Sequence, residues 1–137
     1  MYKIALKSKQ DDKLPNFDIN QSYSYEDAKK ILIGIRALNE YAEMYPEEYE
    51  NPKISEMQAM EIALAEYNEV KARRPENYGE FTVGVHTPIY YSFYCRDFEK
   101  EEAGMAPGKL SFKIDKLSGK KVSHLEEREY RRINYSF

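Results

Sequence analysis

The chain contains no tryptophan, a single cysteine, two histidines and no long apolar run. Each shortage excludes something. One cysteine, Cys95, rules out an intramolecular disulfide framework. Two histidines and one cysteine cannot build a typical structural zinc site without carboxylates. No apolar stretch approaches the roughly 18 residues that a membrane span needs. The opening "MYKIALKSKQDD" has neither an apolar core segment nor a small-residue cleavage site. No signal peptide is read there, and a cytoplasmic location is the expectation. On that expectation the sequon "NYS" (134–136) is a chance match. An excess of positive charge is missing too: 21 Lys+Arg face 24 Asp+Glu, a net charge of −3. Nucleic-acid binders usually concentrate basic charge, so that partner class is disfavoured. The dense basic clusters "KARR" (71–74) and "REYRR" (128–132) lie beside acidic residues and read as solvated charge.

What remains is a soluble, globular composition, 42% hydrophobic and 33% charged. A chain of 137 residues suits one domain, 1–137, able to bury about 68% of its unfolded surface. "YKIALK" alternates and predicts a first strand. "SKQDDKLPNFDINQS" reads as a loop. From Tyr25, the positions Ala28, Ile31, Leu32, Ile35, Leu38, Ala42 and Tyr45 recur at helical spacing. Ser24 caps this helix, with Asp27 as a weak capping-box partner, and Pro46 closes it. A second helix starts at Ser55, where Gln58 completes a clearer capping box. Ala59, Ile62, Ala63, Tyr67 and Val70 are its expected buried stripe, and Pro75 marks its end.

The rest is rich in β-branched and aromatic residues. "EFTVGVH", "IYYSFYCRDF" and the strictly alternating "KLSFKID" predict strands, with Leu110, Phe112 and Ile114 on one face. "KLSG" is turn chemistry, with Gly119 at a positive φ, "KKVSHL" the expected return strand and "YRRINYSF" a final strand. This order predicts an α+β fold with two helices packed on one face of an antiparallel β-sheet.

Candidate chemistry is sparse. Gly104, Gly108, Lys109 and Ser111 suggest a phosphate loop, but three residues instead of four separate the glycines, and Leu110 follows Lys109. Pro107 removes an amide, and a strand follows where the motif needs a helix. Cys95 shares strand parity with Ile89, Tyr91 and Phe93, so a buried, inert thiol is expected. His86 and His124 complete no metal set. "NFDINQSYSYED" places Asn16, Asp18, Asn20 and Asp27 in a calcium-like spacing, but Gln21 stands where that loop requires glycine. An Asx-rich loop explains it. Paired glutamates are abundant, and none forms a catalytic frame. No cofactor is expected, and the chain reads as non-enzymatic.

Tyrosine is the positive bias, with 13 copies. Tyr90 and Tyr94 lie opposite Tyr91 and Phe93 in strand parity, so they face solvent or are covered by something else. Exposed tyrosines offer rigid amphipathic contact area for a protein partner. Together with the acidic segment Glu99, Glu101 and Glu102 they are the expected partner-binding residues.

"ISEMQAMEIALAEYNEV" resembles the helix that opens PepSY-type domains, and "LSFKIDKLSGKKV" resembles their closing hairpin. The order helix, aromatic strand, Gly-x-x-Pro loop and "IDKLSGKKV" is similar to toxin-immunity proteins of the immunity protein 35 type, with "YYSFYCRDFEKEEAGMAP" matching the aromatic strand and the acidic loop after it. The likeness spans about residues 54–124, and residues 1–50 match neither family. PepSY domains are usually exported, unlike the expectation here. The resemblance implies a non-enzymatic binder or inhibitor of bacterial or mobile-element origin, acting on a toxin, effector or defence component. No catalytic or ligating residue carries over. An acidic protein of this kind could mask a basic site by electrostatic complementarity. The alternative is a small-molecule module with a sheet-lined pocket under the helices, containing His86.

Overall fold

The computed structural model describes residues 1–6, 18, 20–37 and 40–135. Among them the chain is mixed α+β, with four α-helices and two small antiparallel sheets. Its contacts divide it into two compact units, Met1–Asn51 with Ser123–Phe137, and Pro52–Val122. The predicted loop before residue 22 falls mostly outside the described residues, as does Leu38.

In the first unit, strand β1 (Tyr2–Ala5) pairs antiparallel with β2 (Glu43–Pro46), Ile4 opposite Met44. Helix α1 (Tyr25–Ile35) starts at Ser24, whose hydroxyl accepts the Asp27 N–H. It buries Ala28, Leu32 and Ile35 against Ile4, Ala42 and Met44. The helix expected to run to Tyr45 stops ten residues earlier. Gly34 weakens its last turn, and beyond it the buried apolar residues are Ala42 and Met44, spaced by two as in a strand. Glu47–Glu50 forms one 3-10 turn. Helix α4 (His124–Tyr135) replaces the expected final strand. The Ser123 hydroxyl accepts from the Glu126 N–H at 3.2 Å, and Glu127 pairs with Arg131 one turn on.

In the second unit, helix α2 (Glu56–Arg73) has the predicted capping box: Ser55 Oγ accepts from the Gln58 N–H, and Gln58 Oε1 from the Ser55 N–H. Its buried residues are Ala59, Ala63 and Tyr67, whereas Ile62 is exposed. The sheet has the order β3 (Thr82–Val83), β4 (Tyr90–Arg96), β5 (Lys109–Asp115). Small alanines let α2 sit close over Phe93, Cys95, Phe112 and Ile114. The five-residue helix α3 (Phe98–Glu102) connects β4 to β5. The expected return strand shortens to Lys120–Val122, bonded to Lys113 and Asp115, because Ser123 already caps α4. Gly119 takes the expected positive φ, +72°. Thus α1 lies on the first sheet and α2 on the second, in place of two helices on one sheet.

Candidate functional site

The acidic segment singled out in the sequence is the helix α3, and its placement is set by one polar knot. Asp97, buried, caps α3 by accepting the Lys100 N–H, and its Oδ1 also accepts from Asn77 Nδ2 at 3.1 Å. Asn77 in turn accepts the Glu99 N–H on its own Oδ1 at 2.9 Å, while its carbonyl takes the Phe98 N–H. Asn77 lies in the turn that Pro75 forces after α2. The end of α2 and the start of α3 are thereby clamped together.

Between them lies an open depression of about 470 Å³, lined by Arg74, Pro75, Glu76, Asn77, Phe98, Glu99 and Glu102. Glu99 forms an ion pair with Arg74 at 2.6 Å. Among the described residues Glu76 and Glu102 have no ion pair. The depression therefore carries three carboxylates against one guanidinium, beside the Phe98 ring.

Glu101 is directed elsewhere. Arg96 grips it with two hydrogen bonds, 2.8 and 2.9 Å, and holds its carboxyl below the ordinary carboxylate range. The same guanidinium lies 4.9 Å from the Phe98 ring centre. A Cβ on Gly108 would come within 2.5 Å of Glu101 Cγ, so glycine at 108 is a consequence of that pair. The glycine-rich segment once suggestive of phosphate thus serves α3. Of the predicted contact residues, Glu99 and Glu102 share the depression, while Tyr90 and Tyr94 lie on β4 and do not line it. Tyr94 is half-buried with the Lys109 ammonium 4.7 Å from its ring centre. Tyr90 is buried, with Lys113 at 5.5 Å. Arg74, Glu76, Asn77 and Phe98 were not singled out as contact residues in the sequence. The turn signal at Pro75 was the one available pointer to them.

His86 is fully engaged. Its Nδ1 accepts the Ser92 main-chain N–H at 2.9 Å, and its Nε2–H donates to Glu56 Oε1 at 2.9 Å. An N–H can only donate, which assigns the tautomer. The ring stands in for the Gly84 carbonyl that would otherwise continue the ladder, since Gly84 N–H already bonds the Ser92 carbonyl. This arrangement ends β3 and leaves neither nitrogen available as a base. His124 opens α4 and is exposed. Cys95 is fully buried. Burial pushes its thiol up, Asp97 adds to this, and Lys71 offsets part. A thiol shifted that way is a poor nucleophile.

The space between α2 and the sheet is filled by rings. Phe81 stacks on Phe93 with centres 5.5 Å apart, and Tyr67 meets Phe112 edge-on. Asn16 of the calcium-like stretch lies outside the described residues; Asp18 Oδ1 accepts the Asn20 N–H, an Asx turn. Among the described residues no group of three or more His, Cys, Asp or Glu could hold a metal ion, and no helix is long and apolar enough to cross a membrane. No family model, curated protein or solved structure matches the chain.

Proposed function

We propose that this chain is a non-enzymatic protein-binding protein of the immunity or inhibitor kind, acting on a toxin, effector or defence component. The observation that carries the reading is the open depression between α2 and α3, where Glu76, Glu99 and Glu102 outnumber Arg74 beside an aromatic ring. That surface suits a basic side chain of a partner, held by charge and by the Phe98 face. Tyr94 on β4 adds amphipathic contact area; Glu101, committed to Arg96, contributes by fixing α3. Ring packing under α2 favours this reading over a sheet-lined ligand pocket.

The test is affinity capture with the wild type and with a double variant, Glu76→Lys with Glu102→Lys. Neither side chain is buried, so the melting temperature should stay within a few degrees. A captured basic protein should elute with salt and be lost by the double variant. Equal recovery by both proteins sinks the proposal.

A further inference from the structure

Among the described residues strand β2 has a neighbouring strand on one side only, and its outer edge is closed by side chains. Tyr2 exchanges both main-chain bonds with Tyr23, so Tyr2 and Ile4 turn away from β2. By the antiparallel pattern Lys3 and Ala5 bond to Tyr45 and Glu43, and Met44 directs its N–H and C=O outward, as do Ala42 and Pro46 on either side. Each is answered. Asn134 Oδ1 accepts the Met44 N–H at 2.8 Å, and Asn134 Nδ2 donates to the Met44 carbonyl at 3.2 Å. Arg36 donates to the Ala42 carbonyl at 3.2 Å. Pro46 has no N–H to leave open.

A carboxamide has the donor and acceptor of a peptide group. Asn134 therefore makes with Met44 the two-bond ring that one residue of an added strand would make. It is fully buried, and a third bond, Nδ2 to the Tyr130 carbonyl at 3.1 Å, fixes its orientation. The other attachments of α4 are mostly polar as well. The Tyr130 hydroxyl donates to buried Glu43 at 2.6 Å and that of Tyr135 at 3.1 Å. Ile133 is the one aliphatic residue of α4 packed on the core.

We propose that α4 is a strap that seals the β2 edge, with Asn134 as its closing contact, and that it opens as a unit before the sheet beneath it unfolds. The occupant excluded is the β2 edge of a second copy. Two copies related by a two-fold axis pair antiparallel with Met44 opposite Met44, repeating the ring that Asn134 now occupies. Each copy brings the carboxylates of Glu47 and Glu48, directly after β2, to the ends of that seam, so salt should strengthen the pairing.

Hydrogen exchange under native conditions tests the strap in the wild type. The amides of α4 and of Met44 should exchange together, and faster than those of α1 and β1. Exchange of all four only through one common unfolding overturns the proposal. In Asn134→Ala, Met44 exchange should rise about tenfold or more, and sedimentation should show one added, salt-strengthened association step relative to the wild type. Leu32→Ala is the control, because it weakens the same unit without touching the edge. Equal association by both variants, or none by Asn134→Ala, also overturns the proposal.

Discussion

The carboxamide of Asn134 and the main chain of Met44, 90 residues apart, close a ring of two hydrogen bonds in a fully buried position. The ring explains a fully buried polar residue in the last turn of a charge-rich helix. It also answers the sequon "NYS": an amide with no exposed surface and three internal hydrogen bonds presents nothing to glycosylate in the folded chain.

Replacing that amide should be costly in a way that depends on chemistry. Asn134→Ala leaves a buried donor and acceptor on Met44 unpaired and should lose about 2–3 kcal/mol of stability in chemical denaturation. Asn134→Asp keeps the size and one acceptor but sets a carboxylate against the carbonyls of Met44 and Tyr130. Burial favours the neutral form of the introduced carboxyl, so its folded pKa lies above its unfolded one. Its deficit should shrink as pH falls through that range and grow as pH rises. A pH-independent deficit would show that the ring is not what Asn134 supplies.

The sequence was most legible where period and caps agreed. Ser55 with Gln58 marked α2, and the strict alternation through Leu110, Phe112 and Ile114 marked β5. It misled where two periods overlapped. Ala42 and Tyr45 fit a helical stripe from Tyr25, yet the buried apolar residues are Ala42, just before β2, and Met44 within it, and a four-residue strand is too short to separate the patterns. Helix α4 hid for another reason. Its inward side is Tyr130, Ile133 and Asn134, and an apolar pattern cannot show that an asparagine is core. Ser123 followed by Glu126 was a usable helix-start signal that aromatic, strand-like "YRRINYSF" outweighed. At the candidate site, the acidic character of 99–102 was readable. That Arg96 removes Glu101 while Glu99 and Glu102 face Arg74 and Glu76 depends on the Asn77–Asp97 knot, a non-local contact no spacing reveals.

Cys95 should behave as part of the core. Its thiol has no exposure and is pushed up by burial first and by Asp97 second. Labelling of the native protein by a thiol reagent should be slow and should accelerate with urea in parallel with unfolding. Cys95→Ser should cost about 1–3 kcal/mol, since the hydroxyl replaces sulfur among Phe93 and Phe112. Fast labelling without denaturant would reopen a nucleophilic role.

The tyrosines should make the fold sensitive to alkali. Burial raises Tyr67, Tyr91, Tyr45 and Tyr135 above the ordinary value of 10.0; Tyr67 gains further from Cys95 and Glu80, and Tyr135 from Glu43. For each, the folded chain holds its phenolic proton more tightly than the unfolded chain. Their contribution is therefore complete below about pH 10 and is lost as pH rises through the folded values. Urea midpoints should hold near neutral pH and fall steeply above that point, as absorbance at long ultraviolet wavelength reports phenolate formation. Tyr67→Phe separates the causes. It removes the hydroxyl that donates to the Gly79 carbonyl at 2.7 Å, costing about 1 kcal/mol at neutral pH. It should also flatten the alkaline decline by one proton's worth. An unchanged slope would assign the alkaline loss to lysines instead of to buried phenols.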